Sequence, residues 1–131
     1  MKRARLSAAI WLVLLGAGVA QGAGAPASPW ARGFPKVGQC YATRVKTVGT
    51  RLGTPDSGSV VSYTDRHIQI AYETSPIAQA FRPGDRVKLC VVSLPANCPP
   101  GDNRGVVYRA LNARTGGAWK AADSQHSCGG A

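Results

Sequence analysis

Alternation of apolar and polar residues with a period of two is the feature that most limits what this chain can fold into. In the segment HIQIAYE, Ile68, Ile70 and Tyr72 fall on one face while His67 and Gln69 fall on the other. A period of two is typical of a β-strand with one buried face. We therefore expect a strand here that turns Ile68, Ile70 and Tyr72 inward and leaves His67 exposed.

Further short strands are predicted on both sides of this segment, and turn signals separate them. The turns include Arg82-Pro83-Gly84-Asp85 and Thr115-Gly116-Gly117, in which Pro fixes φ and Gly supplies a positive φ. No long amphipathic helix is present, and only residues 76–81 could hold a helical turn. The predicted strands cover residues 41–48, 59–63, 67–73, 86–94, 106–112 and a short stretch around Trp119. This pattern predicts an all-β barrel or sandwich of five to six short antiparallel strands, either SH3-like or of the oligonucleotide/oligosaccharide-binding (OB) type.

Four cysteines lie in this chain of 131 residues, at positions 40, 90, 98 and 128. An even number in a small exported domain favours disulfides, and the absence of any C-x-x-C pair argues against a metal site. Cys40 and Cys90 both fall on the charged faces of their predicted strands, so we prefer the pairs Cys40–Cys90 and Cys98–Cys128. The main alternative is Cys90–Cys98 with Cys40–Cys128. Neither a metal nor a cofactor is predicted.

The N-terminus has the pattern of a secretory signal peptide. Lys2, Arg3 and Arg5 precede an apolar run from residue 6 to 15, and small residues follow up to Ala20. We expect cleavage near Ala20, a flexible leader at 21–33 and a single β-barrel domain at 34–131. The protein is thus expected to be exported, to the periplasm or outside the cell.

The chain is strongly basic, with 16 Lys and Arg against 6 Asp and Glu. Removal of residues 1–20 would leave a formal charge of +7, which favours anionic partners. Arg44 and Lys46 share an outward strand face with Cys40, and Arg86 and Lys88 share one with Cys90. If Cys40 faces Cys90 in an antiparallel pair, Arg44 must face Arg86. The predicted anion-binding residues are Arg44, Lys46, Arg86, Lys88 and, in a glycine-containing loop, Arg104.

Trp119, beside Lys120 after a hairpin turn, is the predicted exposed platform for stacking. The segment DSQHSC contains Ser124 and His126, but proximity in sequence does not make a catalytic site. We predict a non-enzymatic binding module for an anionic cell-envelope component, either a polysaccharide or a lipid headgroup, and peripheral membrane contact is compatible with this prediction. An acidic protein is a further possible partner, and nucleic acid is not expected. The alternatives are a protein–protein module such as an inhibitor of a secreted hydrolase, and a small secreted hydrolase that uses Ser124 and His126.

Overall fold

A computed structural model describes residues 34–130, which contain six strands and one short helix. The predicted signal peptide (1–20) and leader (21–33) lie outside the described residues. In chain order the elements are β1 (Cys40–Thr50), β2 (Ser59–Tyr63), β3 (Ile68–Ala71), α1 (Pro76–Gln79), β4 (Arg86–Ser93), β5 (Val107–Asn112) and β6 (Ala118–Ala122).

The strands form a closed barrel in the order β1-β2-β3-β6-β5-β4, and all neighbouring strands are antiparallel. The barrel therefore consists of two three-stranded meanders, β1-β2-β3 and β4-β5-β6. The meanders meet along two lines, which we call the β1·β4 seam and the β3·β6 seam. The predicted small all-β barrel is confirmed.

The interior is filled by alternate residues of the strands. Val45 of β1 and Val87, Leu89 and Val91 of β4 are all at most 4% exposed, as their sequence alternation predicts. The short helix α1 starts at an N-cap Ser75, whose hydroxyl accepts a hydrogen bond from the Ala78 N–H. Ala78 joins the same core. Sequence parity thus places β1 and β4 correctly.

The predicted parity of β3 is wrong. Ile68 and Tyr72 are 38% and 56% exposed, whereas His67 and Gln69 are buried at 2% and 0%. The Gln69 side chain explains the inversion, because its amide oxygen accepts a hydrogen bond from the Tyr63 hydroxyl at 2.6 Å and its amide nitrogen donates to the Tyr108 carbonyl at 2.8 Å. A buried amide with its hydrogen bonds made is stable inside a barrel.

The preferred disulfide pairing is confirmed. Cys40 is bonded to Cys90 and Cys98 to Cys128, and the described part of the chain holds no free cysteine. Cys40 and Cys90 are also direct register partners in the β1·β4 seam. The alternative pairing Cys90–Cys98 with Cys40–Cys128 is thereby excluded. These bonds are consistent with an oxidising compartment.

Candidate anion-binding face

Acidic residues are absent from the strands, whereas Lys and Arg occur both in strands and in loops. No Asp or Glu occurs in any of the six strands, so the six acids of the chain all lie outside them. Strands β2 and β3 carry no charged residue at all. The cations on strands are confined to β1, β4, β5 and β6, and they are Arg44, Lys46, Arg86, Lys88, Arg109 and Lys120.

The strand register brings five of these cations together on the outside of the barrel. Arg44 lies directly opposite Arg86, and Ala42 lies opposite Lys88. Lys88 in turn lies opposite Leu111 of β5, and Arg109 of β5 lies opposite Lys120 of β6. We call this surface the cationic face and define it by Arg44, Arg86, Lys88, Arg109 and Lys120, all of which are exposed.

A groove of about 730 Å³ lies at the end of the cationic face that is formed by β1 and β4. Arg44, Arg86 and Lys88 line it, and its exposed surface is mostly apolar, with Leu111 as its largest aliphatic side chain. A smaller depression of about 250 Å³ shares Arg44 and Arg86 with the groove. The two guanidinium groups therefore stand where both cavities meet.

The neighbouring Arg114 is already neutralised. Its Nε donates to Asp85 Oδ1 at 2.7 Å, and Asn112 donates to the same carboxylate. The hydrogen bond from Arg114 holds the pKa of Asp85 well below its usual range. Arg44 differs, because its Nη1 donates to the backbone carbonyl of Gly84 at 2.9 Å. That bond positions the Arg44 guanidinium without cancelling its charge.

One acid, Asp65, lines the groove beside Thr43 and Thr64. Its Oδ2 lies 2.8 Å from Nδ1 of the buried His67. Burial alone would raise the pKa of Asp65, but the hydrogen bond and charge of His67 outweigh it and hold that pKa below its usual value. His67 itself packs between Tyr41 and Tyr108, with ring centroids 5.2 and 5.1 Å away. The carboxylate is thus tied to the barrel interior.

Comparisons with protein-family models, with curated proteins and with solved structures give no match. Within residues 34–130, no helix is long and apolar enough to cross a membrane. The same residues contain no group of three or more His, Cys, Asp or Glu side chains arranged to hold a metal ion.

The five cations predicted from sequence are not brought together as a set. Arg44, Arg86 and Lys88 share the groove, whereas Lys46 lies beyond the last β1·β4 register pair, Arg44–Arg86. Arg104 is paired: its Nε and Nη2 donate to the two carboxylate oxygens of Asp102 at 2.9 and 2.8 Å. An acid two residues away thus occupies the guanidinium that was predicted to bind an external anion.

The prediction that Trp119 is an exposed platform is wrong. Its side chain is only 6% exposed, and it belongs to the core with Ala110, its register partner on β5. Lys120, the next residue, points outward instead. Adjacent residues of a strand face opposite sides, so Trp119 cannot share the outward face of Lys120. No aromatic side chain lines the groove.

Ser124 and His126 do not form a nucleophile–base pair through their side chains. The Ser124 hydroxyl donates to the backbone carbonyl of His126 at 2.6 Å. The adjacent Asp123 accepts hydrogen bonds from the N–H groups of Gly105 and Val106, and burial raises its pKa. These contacts fasten the C-terminal segment to the loop before β5.

Sequence reasoning missed Arg109, Leu111 and Lys120. The signal that would have found the first two is the alternation of β5, in which Tyr108, Ala110 and Asn112 are buried and the residues between them are not. Lys120 follows from the register of β6 on β5.

Proposed function

We propose that this protein is an exported, non-enzymatic module that binds an anionic cell-envelope component through its cationic face. The anionic group is bound between Arg44 and Arg86, with Lys88 beside it. The signal-like N-terminus and the two disulfides support export.

The direct opposition of Arg44 and Arg86 carries this proposal. Like charges directly opposite each other in an antiparallel pair are destabilising, and no strand residue supplies a compensating carboxylate. An anion between the two side chains removes the repulsion. Guanidinium groups suit this role because their planar donors match phosphate, sulfate and carboxylate oxygens.

The test is binding of the purified protein, residues 21–131, to vesicles that contain phosphatidylglycerol and to dextran sulfate, at low and high salt. We expect binding to fall steeply with salt, because the contact is electrostatic. The double variant Arg44→Gln/Arg86→Gln should bind at least about tenfold more weakly, the equivalent of about 1.4 kcal/mol.

A matched control removes the same charge elsewhere. Lys36 and Arg66 are exposed and lie outside the cationic face, so Lys36→Gln/Arg66→Gln should reduce binding only slightly. Equal losses in the two double variants would mean that net charge, and not the Arg44–Arg86 pair, decides binding. Undiminished binding of Arg44→Gln/Arg86→Gln would overturn the proposed site.

A rigid loop favours a second candidate, a protein–protein module such as a hydrolase inhibitor. The connection between β4 and β5 is held by the Cys98–Cys128 bond, and Asp102 accepts a hydrogen bond from the Gly129 N–H. Preorganised loops bind with less loss of conformational entropy. Alanine at Asn97 and Asn103 would then abolish capture of a secreted hydrolase, whereas Arg44→Gln would leave it unchanged.

A further inference from the structure

The groove on the cationic face combines two surfaces that one simple anion does not use together. Its cations, Arg44, Arg86 and Lys88, stand beside a surface that is mostly apolar. An inorganic anion or a sulfated sugar would contact the cations and leave the apolar part in water. A ligand with a charged group and an alkyl chain would cover both.

Cross-strand rows explain how the two surfaces come to be adjacent. The first row runs from Arg44 to Arg86 and on to Ala113, whose N–H donates to the Arg86 carbonyl at 2.9 Å. The second row, one pleat away, is Ala42, Lys88 and Leu111. Each row ends in a small alanine, Ala113 in the first and Ala42 in the second, and both alanines line the groove together with Leu111.

Leu111 is the side chain that needs an explanation. It is 37% exposed, and its two cross-strand neighbours are Lys88 and Ala118. Exposed leucines are common singly, but this one lines a cavity of about 730 Å³ that Arg44, Arg86 and Lys88 also line. Contact with an alkyl chain would remove its apolar surface from water.

The groove lacks the feature that a polysaccharide ligand would use. No aromatic side chain lines it, whereas sugars and bases stack on exposed aromatic rings. Trp119 is buried. The exposed Tyr72 lies on β3's outward side, where the Arg51 guanidinium sits 4.4 Å from its ring centroid.

From these observations we infer that the groove binds an anionic lipid, with the phosphate between Arg44 and Arg86 and the first carbons of an acyl chain against Leu111. The inference rests on the proposed function and narrows it to one ligand class. It also places the cationic face against the membrane surface, since Arg109 and Lys120 flank the groove on the same side of the barrel. Cations near an anionic surface each add attraction.

The experiment compares two probes that share the same phosphodiester headgroup. One is glycerophosphoglycerol, which has no acyl chain, and the other is dihexanoyl-phosphatidylglycerol below its micelle concentration. We expect the lipid to bind at least about tenfold more tightly to the wild type, because the alkyl chain adds apolar contact. In Leu111→Ser this advantage should fall by about fivefold or more, while binding of glycerophosphoglycerol and dextran sulfate stays unchanged.

Leu52→Ser is the matched control, because Leu52 is 62% exposed in the β1–β2 connection, away from the groove. It should keep the full lipid advantage, and thermal unfolding of both variants verifies that they are folded. If Leu111→Ser binds the lipid as tightly as wild type while Arg44→Gln/Arg86→Gln does not, the anion site stands and the lipid inference is wrong.

Two other outcomes would also overturn the inference. Tight binding of dextran sulfate with no preference for the lipid over glycerophosphoglycerol would identify a polysaccharide-type ligand. If Arg44→Gln/Arg86→Gln binds every probe as tightly as wild type, the proposed function itself is refuted.

Discussion

The two seams of the barrel are built in different ways. The β1·β4 seam has five register pairs, from Cys40–Cys90 to Arg44–Arg86, and a disulfide joins its first pair. The β3·β6 seam has a single register pair, Ile70–Ala122. There the buried Gln69 amide also donates to backbone carbonyls of β5 and β6, those of Tyr108 at 2.8 Å and Ala121 at 3.3 Å.

The difference shows two routes to closing a small barrel. Along the β1·β4 seam, backbone hydrogen bonds and a disulfide hold the strands together, so the outward side chains are free to carry charge. Along the other, one polar side chain substitutes for missing backbone pairs, and β3 must turn its polar residues inward. The opposed pair Arg44 and Arg86 of the cationic face lies at the seam that can tolerate repulsion.

The largest expected effect is loss of the covalent bond in the β1·β4 seam. The Cys40–Cys90 bond joins residues 50 apart in sequence, so Cys40→Ser/Cys90→Ser should lower the free energy of unfolding by up to about 4 kcal/mol on the chain-entropy model. Urea unfolding measures the change. Cys98→Ser/Cys128→Ser, with a separation of 30, should cost slightly less. A loss under about 1 kcal/mol would show that the backbone pairs suffice.

Next in size is removal of the amide that closes the β3·β6 seam. Gln69→Leu leaves the Tyr63 hydroxyl and two carbonyl oxygens without this partner in the core, and we expect about 3 kcal/mol of destabilisation. Gln79→Leu is the control, because the exposed Gln79 amide also donates two hydrogen bonds, to Gly49 and Ser59. Its loss should be about 1 kcal/mol or less. Similar losses would refute the special role of Gln69.

Low pH should reduce the stability of the fold near the β1·β4 seam by protonating Asp85, which precedes β4 and forms a salt bridge with Arg114. Its folded pKa is lowered from 3.8, so its stabilisation is complete above that value and is lost as the pH falls towards the folded pKa. The melting temperature should therefore drop below pH 4. Asp85→Asn should be less stable at pH 7 and show a shallower acid slope, whereas Asp56→Asn, in an exposed loop, should match wild type.

Asp123 has the opposite effect on the pH dependence of stability. Burial raises its pKa, so the folded protein disfavours the ionised carboxylate, and the contribution of Asp123 to the free energy of unfolding increases as the pH falls. An acid slope that persists unchanged in Asp85→Asn would assign the effect to Asp65 or Asp102, whose pKa values are also lowered.

The smallest expected effect is relief of the repulsion within the β1·β4 seam. Arg86→Glu creates an opposite-charge pair with Arg44 and should raise the free energy of unfolding by about 0.5 kcal/mol, while anion binding is lost. Lys88→Glu is the control, since Lys88 faces Ala42 and should give no such gain. Thermal unfolding at low salt measures both, and destabilisation by Arg86→Glu would show that the two arginines do not repel.

Most of the fold could be predicted from sequence because β1 and β4 alternate cleanly, and turns such as Thr115-Gly116-Gly117 mark the strand ends. The Cys40–Cys90 pair and the Arg44–Arg86 opposition followed from that parity. Strand β3 was predicted at the right place, but its buried face could not be predicted, because the stability of a buried Gln69 depends on acceptors 39 and 52 residues away.

The candidate site was predicted in part for related reasons. Arg44, Arg86 and Lys88 lie on strands with strong alternation. Strand β6 is rich in alanine, which gives no contrast between its faces, so Trp119 was placed outside. Arg104 was misjudged because its pairing with Asp102 is a matter of loop conformation.

The disulfide in the β1·β4 seam has a consequence for any opening of the barrel. Cys40–Cys90 holds β1 and β4 side by side, whereas β3 and β6 share the single register pair Ile70–Ala122, so we expect an opening barrel to separate between β3 and β6 first. The open sheet would then have the strand order β3-β2-β1-β4-β5-β6. Arg44 and Arg86 would then lie on the two central strands of an open sheet, still opposite each other.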